Sequence, residues 1–257
     1  MRYIINLSYD GSAFCGWQVQ NNARTVQGEL EKALKTLLRS DVPVTGAGRT
    51  DSGVNASGYV AHFDFEDSLP IETGQLAYKL NAILPDEIII NEIAPADSEF
   101  HARFSAKVRE YHYFIHKKRD PFCEKFSWRC RYPLDVEKMN RAAALLLGEH
   151  DFSCFEKTGG NNATSICTVY EAVWEEYKPM QVSVLGTPCD KGDYIVFRIR
   201  ANRFLRNMVR AIVGSLVEIG RGKQEPEWIL TLLENGDRCE AGESVPGNAL
   251  FLSKVEY

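Results

Sequence analysis

The sequence contains no long apolar run and no low-complexity tract. Its start, MRYIINLSYDG, reaches the polar Asn6 too early for the apolar stretch of a signal peptide. No window approaches the roughly 18 apolar residues that a membrane span needs. With 44% hydrophobic and 25% charged residues, the 257-residue chain is expected to fold throughout its length. These features argue against secretion and membrane insertion, and we expect a cytoplasmic protein.

The sequence also contains no Cys-x-x-Cys pair, although it has seven cysteines. An odd and scattered set indicates neither a disulfide framework nor a zinc knuckle. We therefore expect reduced, structural thiols and no bound metal. The cysteines are Cys15, Cys123, Cys130, Cys154, Cys167, Cys189 and Cys239.

The sequence also lacks an excess of basic residues, since its formal net charge is −5. The cations are concentrated in segments 101–119 and 198–210, each of which carries a formal +5 and which together leave −15 for the rest. Two such segments in an acidic body can form one positive cleft that attracts phosphate. The alternative is two solvated faces that point in different directions. The cations are Arg103, Lys107, Arg109, Lys117, Lys118 and Arg119 in the first segment, and Arg198, Arg200, Arg203, Arg206 and Arg210 in the second.

Hydrophobic periodicity predicts a mixture of strands and helices. Strands are predicted at 3–9, 41–44, 57–65, 87–93, 107–117, 166–177, 194–201 and 250–256. Helices are predicted for about 14 residues from the N-cap Thr25, and at 73–84, 135–147, 203–219 and 226–234. Because the two types do not alternate strictly, we expect an α+β fold with antiparallel or mixed sheets flanked by helices. We expect two related halves, 1–105 and 106–257, around a central catalytic cleft.

The densest chemical signal is the segment GAGRTDSGVNA at 46–56. Its glycines allow close approaches, so the loop can hold Arg49 and Asp51 in fixed directions against a ligand. A Walker A loop would need Gly-Lys-Ser/Thr after the second glycine, and a dinucleotide fingerprint would need glycine at position 51, so neither nucleotide motif fits. The alternative is a tight turn in which Asp51 caps the following segment.

The predicted helix at 203–219 carries three arginines on one stripe, because Arg203, Arg206 and Arg210 are spaced i, i+3 and i+7. Arg210 stands within Met-Val-Arg-Ala-Ile-Val, where a partly buried guanidinium would need an anion. Asp51 is a candidate, since such a pair would keep its carboxylate ionised and aimed. The alternative is that all three arginines only reach phosphates.

Aromatic residues alternate with cations in two further places. On the predicted strand 107–117, Tyr111 shares a face with Arg109 and Tyr113, and the run Phe100-His-Ala-Arg-Phe104 precedes it. Such mixtures are typical of sites that hold unstacked bases and phosphates. For Tyr111 alone, packing in the core is the alternative.

Several motifs resemble those of the tRNA pseudouridine synthase A family, in family order along nearly the whole chain. They are Tyr9-Asp-Gly11, Gly16-Trp-Gln18, Thr25-Val-Gln27, Gly48-Arg-Thr-Asp-Ser-Gly-Val54, Ala102-Arg-Phe-Ser-Ala106 with Tyr111, Gly148-Glu-His-Asp-Phe152, and Phe204-Leu-x-x-Met-Val-Arg210. The resemblance implies a homodimer without cofactor or metal that converts uridine to pseudouridine at positions 38 to 40 of the tRNA anticodon stem-loop.

The resemblance also implies residue roles. Asp51 matches the catalytic aspartate, Arg49 the arginine that helps to evict the base, Tyr111 the tyrosine packed on the uracil, and Arg210 the basic partner of the aspartate. The expected RNA contacts are Arg49, Phe100, His101, Arg103, Arg119, Arg203 and Arg206. The sequence departs from the family at Ser52 and Asn55, where Ala and His are common, and in the segments 157–163 and 246–251.

This isomerisation breaks the N1–C1′ bond and joins C5 to C1′ without redox change, so the reaction itself demands no cofactor. The enzyme must supply a carboxylate, extract the base and enclose the detached uracil. Asp51 can act first by attacking C1′, by adding to C6 or by removing the C2′ proton. Two other functional classes are alternatives to an isomerase. One is a non-catalytic tRNA-binding module, and the other is a metal-dependent nuclease, which would need several converging carboxylates.

Overall fold

The computed structural model describes residues 1–66, 68–159 and 163–257. Within these ranges the strands are β1 (Arg2–Tyr9), β2 (Val44–Gly46), β3 (Asn55–Asp64), β4 (Ile88–Ala96), β5 (Val108–His116), β6 (Trp128–Arg129), β7 (Gly148–Asp151), β8 (Ile166–Glu176), β9 (Tyr194–Ala201) and β10 (Leu250–Glu256). The helices are α1 (Val26–Leu38), α2 (Thr73–Ile83), α3 (Val136–Ala144), α4 (Met180–Ser183), α5 (Met208–Gly220) and α6 (Trp228–Asn235). These elements confirm the α+β fold class.

Residues 160–162 of the atypical segment 157–163 lie outside the described ranges. In the part of the chain that is described, no helix has the length and apolar character needed to cross a membrane.

The chain divides into two compact units. Unit 1 comprises Met1–Lys107 together with Phe251–Tyr257, and unit 2 comprises Val108–Leu250. The predicted boundary near residue 105 assigned residues 251–257 to the second half. In the structure they belong to unit 1, where β10 pairs in parallel with β3.

In unit 1 the strands are ordered β4-β1-β3-β10, and β2 pairs with β3. β1 is antiparallel to both β3 and β4. Its alternating pattern buries Tyr3, Ile5, Leu7 and Tyr9, as the sequence predicts. Helix α1 begins after the predicted N-cap Thr25, whose side chain accepts a backbone hydrogen bond from the first turn.

In unit 2 the strands are ordered β7-β8-β9-β5 with antiparallel pairing, and β6 pairs in parallel with β5. Helix α3 packs against β8 and α5. Eleven of the thirteen residues of α5 are buried, which matches a helix that is apolar on most sides.

The predicted start of the last long helix at residue 203 is wrong, because α5 begins at Met208. Asn207 has a φ of 65°, a left-handed conformation that a right-handed helix cannot include. The N–H of Met208 donates instead to the carbonyl of Leu205 at 3.2 Å, which closes a turn. Arg203 and Arg206 therefore lie before the helix, and the predicted stripe of three arginines does not form.

The short strand predicted at 41–44 lies instead at Val44–Gly46. Pro43 has no N–H to donate to a neighbouring strand, so pairing cannot extend through it. The N–H of Val44 donates to the carboxylate of Glu31 on α1 at 2.9 Å. This contact fixes the start of β2, and hence of the loop that follows it.

Candidate active site

Asp51 lies in the loop between β2 and β3 of unit 1, where the side chain is half-buried and that of Arg49 is exposed. The antiparallel pairing of these strands places Gly46, the last residue of β2, opposite Ala61 of β3. The N–H of Ala47 donates to the carbonyl of Val60 at 2.8 Å. Within the loop, the N–H of Val54 donates to the carbonyl of Asp51 at 3.1 Å. The backbone that carries Asp51 is therefore a closed turn.

The segment after β1 contacts this loop through its backbone. The N–H of Trp17 donates to the carbonyl of Thr50 at 3.2 Å, and the N–H of Gly53 donates to the carbonyl of Phe14 at 3.4 Å. The hydroxyls of Tyr9 and Thr50 form a buried hydrogen bond at 2.9 Å. These contacts hold residues on both sides of Asp51.

Two glycines allow this close approach. A Cβ at Gly16, whose φ is +87°, would lie 2.4 Å from the carbonyl oxygen of Thr50. A Cβ at Gly11 would lie 2.1 Å from the carbonyl oxygen of Val54. Asn55, one of the departures from the family, accepts the N–H of Gly11 on its side-chain oxygen at 2.8 Å. Larger residues at 11 or 16 would displace the loop.

Three aromatic rings lie under the loop. Trp17 and Tyr59 are stacked with ring centroids 4.1 Å apart, and Tyr9 lies 5.5 Å from Tyr59. The hydroxyl of Tyr59 donates to the carbonyl of Gly48. The sequence interpretation assigned no role to these rings. Two of them stand in the motifs Tyr9-Asp-Gly11 and Gly16-Trp-Gln18, so an aromatic residue within two positions of a glycine was the available signal.

The run at 100–104 forms an exposed turn in unit 1. Phe104 is 74% exposed, and the guanidinium of Arg103 lies 5.4 Å from the centre of its ring. His101 Nδ1 accepts the backbone N–H groups of Arg103 at 3.1 Å and Phe104 at 3.3 Å. The ring of Phe100 lies 4.7 Å from that of Tyr257. The turn thus presents a cation and an aromatic ring to solvent.

A buried histidine that sequence reasoning missed supports the same turn. His62 Nδ1 accepts the N–H of Ala102 at 3.1 Å. Burial lowers the pKa of His62 to about 4, with a smaller effect from the charge of Arg2. The pKa of His101 is also lowered, first by burial and then by Arg2. Both imidazoles are therefore neutral acceptors at neutral pH.

In unit 2, Tyr111 lies on β5 opposite Ile199 of β9 and is half-buried. Its ring meets Phe204 edge-on, with centroids 5.0 Å apart. Arg109, on the same face, donates to the carbonyl of Asn202 at 2.9 Å. The contact with Phe204 limits the orientations of the Tyr111 ring.

Arg210 is half-buried on α5, and its Nε donates to the carbonyl of Val245 at 2.7 Å. The N–H of Val245 donates back to the carbonyl of Arg210 at 3.3 Å. The next residue, Pro246, accepts the hydroxyl of buried Tyr113 at 3.0 Å. Burial raises the pKa of Tyr113, and the positive charge of Arg210 opposes that shift.

The segment before Val245 lies directly on α5. A Cβ at Gly214 would lie 1.9 Å from the carbonyl oxygen of Glu243, so only glycine fits there. The hydroxyl of Ser215 accepts the N–H of Gly242 at 2.9 Å. Helix and segment together fix the backbone that binds the guanidinium of Arg210.

The remaining predicted RNA contacts of unit 2 lie in irregular segments. Arg206 is exposed, and its Nη1 donates to the carbonyl of Thr158 at 3.3 Å. Arg203 is half-buried, and its charge slightly opposes the burial that raises the pKa of Cys167 to about 11. Arg119 is exposed. Arg119 and Arg206 are thus accessible to phosphate.

Two arginines of the predicted basic segment 198–210 are neutralised within the sheet of unit 2. Arg198 lies 2.8 Å from Glu171 and 3.5 Å from Glu175. Arg200 lies 3.4 Å from Glu110 and 3.8 Å from Glu171. The formal +5 of this segment therefore overstates its attraction for phosphate.

The site residues fall into two groups, one in each unit. Unit 1 holds Arg49, Asp51, Phe100, His101 and Arg103, and unit 2 holds Tyr111, Arg119, Arg203, Arg206 and Arg210.

Comparison with known proteins identifies relatives along the whole chain. A family model described as "tRNA pseudouridine synthase" matches residues 6–105 and 142–257. "tRNA pseudouridine synthase A" of Bacteroides fragilis is 45% identical over 257 residues, which cover 100% of this chain and 96% of the relative. The protein of the same name from Bacteroides thetaiotaomicron is 46% identical, with coverages of 100% and 90%. That from Bacillus subtilis is 42% identical, with coverages of 100% and 99%.

Proposed function

Because this chain belongs to the tRNA pseudouridine synthase family, we propose that it converts uridine to pseudouridine in the anticodon stem-loop of tRNA, at positions 38, 39 and 40. Asp51 supplies the reacting carboxylate. The observation that carries the proposal is the construction of the Asp51 loop, whose backbone is held by Trp17, Phe14 and Val54. A carboxylate on such a rigid turn is preorganised for attack on a substrate that enters from outside.

The reaction exchanges one glycosidic bond for another. The N1–C1′ bond breaks, the uracil turns, C5 bonds to C1′, and the proton lost from C5 is matched by one gained at N1. The same carboxylate serves any of three first steps: attack at C1′, addition to C6 or removal of the C2′ proton. The uridine must first leave its stack, because these atoms are covered in an intact stem.

We assign the other residues by the chemistry they present. Arg49 is exposed two residues before Asp51, so its guanidinium can occupy the place of an evicted base. Tyr111 packs on the target uracil while Phe204 holds the edge of its ring. The exposed side chains of Arg103, Phe104, Arg119 and Arg206 bind the RNA backbone and unstacked bases.

The test is to map pseudouridine on bulk tRNA from a strain that lacks the protein, before and after incubation with it. Carbodiimide-reactive residues should return at positions 38 to 40. The reaction should survive a chelator and leave the RNA uncut, which would exclude the nuclease alternative. Binding of tRNA with no new pseudouridine would instead identify a non-catalytic binding module.

Arg210→Met should fold normally but lose most of its turnover. The hydrogen bond from the guanidinium to the carbonyl of Val245 would be lost, yet Met suits the apolar neighbours on α5 and removes a partly buried charge. If Arg210 pairs with Asp51, the variant leaves the carboxylate without the partner that aims it at the substrate, and turnover falls. Thermal unfolding and single-turnover rates of the purified variant measure the two effects.

Arg206→Met is the matched control, since Arg206 is exposed before the helix. It should weaken tRNA binding more than turnover. Near-normal turnover in Arg210→Met together with lost turnover in Arg206→Met would contradict the pairing of Asp51 with Arg210, which stays a prediction until this comparison is made.

Binding of tRNA should weaken steeply with salt despite the net charge of −5. Each phosphate contact contributes about 0.7–0.9 to the slope of log affinity against log salt. Arg119→Gln should reduce the magnitude of this slope by about 0.7–0.9, which is the contribution of one phosphate contact. Lys118→Gln should leave it unchanged, because Lys118 is already 3.1 Å from Asp193 and also contacts Asp190. Equal slopes for the two variants would show that Arg119 does not contact the RNA phosphates.

We also propose that the protein acts in the cytoplasm as a homodimer. The sheet of unit 2 presents a face on which Arg198 and Arg200 alternate with Glu110, Glu171 and Glu175. Because these charges are paired within one chain, two copies of the face could meet about a two-fold axis without strong charge repulsion. A solution mass of twice the 29.0 kDa chain would support the dimer.

A further inference from the structure

The last residue of β1 contacts the residue next to Asp51 through two buried hydroxyls. Tyr9 is 4% exposed and Thr50 is 7% exposed, and their oxygens are 2.9 Å apart. We propose that Tyr9 is a positioning residue for the reaction, which acts on Asp51 through Thr50. The inference rests on the proposed catalytic role of Asp51.

Hydrogen bonds hold the backbone on both sides of Asp51. Thr50 is held twice, by Tyr9 at its hydroxyl and by the N–H of Trp17 at its carbonyl. Asp51 itself accepts the N–H of Val54 at its carbonyl. Of these contacts, the hydroxyl pair is the one that depends on side chains. It is therefore the contact that a conservative substitution can remove without changing the backbone.

The strand is shaped to make this contact. The register of β1 against β3 shifts between Leu7 and Tyr9, so that Leu7 faces Tyr59 while Tyr9 faces Ala56. A β-bulge of this kind re-aims the side chain that follows it. The shift places Tyr9 opposite Ala56, one residue nearer to the Asp51 loop than the Ser57 that unbroken register would give.

Tyr9→Phe isolates the effect of the hydroxyl. The ring stays among Trp17 and Tyr59, 6.3 and 5.5 Å away between centroids, while Thr50 loses its partner oxygen. We expect the single-turnover rate to fall on the order of 10- to 100-fold, as for a small misplacement of a reacting group. The affinity for tRNA should change by less than a few fold, because Tyr9 is buried.

Tyr3→Phe is the matched control. Tyr3 lies on the same strand, is equally buried, and its hydroxyl accepts the N–H of Leu69 at 3.2 Å. The variant loses a comparable hydrogen bond away from the loop. Thermal unfolding should shift similarly in Tyr3→Phe and Tyr9→Phe, whereas only Tyr9→Phe should lose rate.

Thr50 variants test the route to Asp51. Thr50→Val keeps the shape without the hydroxyl and should lose rate as Tyr9→Phe does, while Thr50→Ser should recover most of that loss. The double variant Tyr9→Phe/Thr50→Val should be no slower than Thr50→Val alone, because each single substitution removes the same hydrogen bond. Rate losses that multiply would overturn action through Thr50.

The outcomes separate the inference from the proposed function. A normal rate in Tyr9→Phe, with Asp51→Asn inactive, overturns the positioning role and leaves the catalytic assignment standing. Activity in Asp51→Asn overturns the catalytic assignment and the positioning role with it. An equal loss of rate in Tyr3→Phe and Tyr9→Phe would mean that general destabilisation, rather than placement of Asp51, limits the reaction.

Discussion

Replacement of Asp51 by Asn or Ala should abolish pseudouridine formation while the affinity for tRNA changes by less than a few fold. Asn keeps the shape of the side chain but cannot act as an anionic nucleophile or base. A reacting carboxylate contributes to the transition state, whereas phosphate contacts determine most of the affinity. The measurement is carbodiimide-reactive pseudouridine in tRNA, with binding measured on the same preparation.

Asp41→Asn provides the control for loss of a carboxylate in the same unit. Asp41 is exposed before β2 and forms a surface ion pair with Lys35 at 2.7 Å. Such a pair contributes little, so activity should stay normal. Pseudouridine formed by purified Asp51→Asn, above the level of a mock preparation, would contradict the assignment of Asp51 as the reacting carboxylate.

Gly16→Ala should cost both stability and activity. The added Cβ would lie 2.4 Å from the carbonyl oxygen of Thr50 and 3.2 Å from the carbonyl carbon of Asp51. The φ of +87° at Gly16 is also strained for alanine, which adds about 1–3 kcal/mol. The turn that carries Asp51 must move, and a displacement near 1 Å can cost on the order of 100-fold in rate. Thermal unfolding and single-turnover rates measure the two effects.

Gly74→Ala is the corresponding control. Gly74 lies in α2 of the same unit, and a Cβ there meets nothing within 4 Å among the described residues. Alanine in a helix is favoured over glycine by about 0.8–1.0 kcal/mol, so stability should hold or rise. A Gly16→Ala protein that unfolds and reacts like the wild type would show that the loop does not depend on this close approach.

The sequence by itself determined several strand and helix limits, because they depend on residues that are close together in the chain. The strands at 194–201 and 250–256 have the bounds that the sequence predicts, and α1 starts after the predicted cap Thr25. Periodicity and capping depend on residues close together in the chain, so the sequence states them directly. The loop with Asp51 could likewise be singled out, because its glycines and charged residues are adjacent in sequence.

The tertiary structure decided the features that depend on distant residues. The pairing of β8 with β9 brings Glu171 and Glu175 to Arg198, so a run that reads as a basic surface is partly neutral. The start of α5 follows from the left-handed backbone of Asn207, which side-chain periodicity does not register.

The support of Asp51 is of the same kind. The hydrogen bond between Tyr9 and Thr50 joins residues 41 positions apart, and the bond from Ala102 to His62, which supports the turn at 100–104, joins residues 40 apart. The sequence by itself determined which residue types this protein has for its chemistry. Only the packing of β1 and its following segment on the loop decided what holds Asp51 in place, because strand register and close backbone approach exist only in the folded chain.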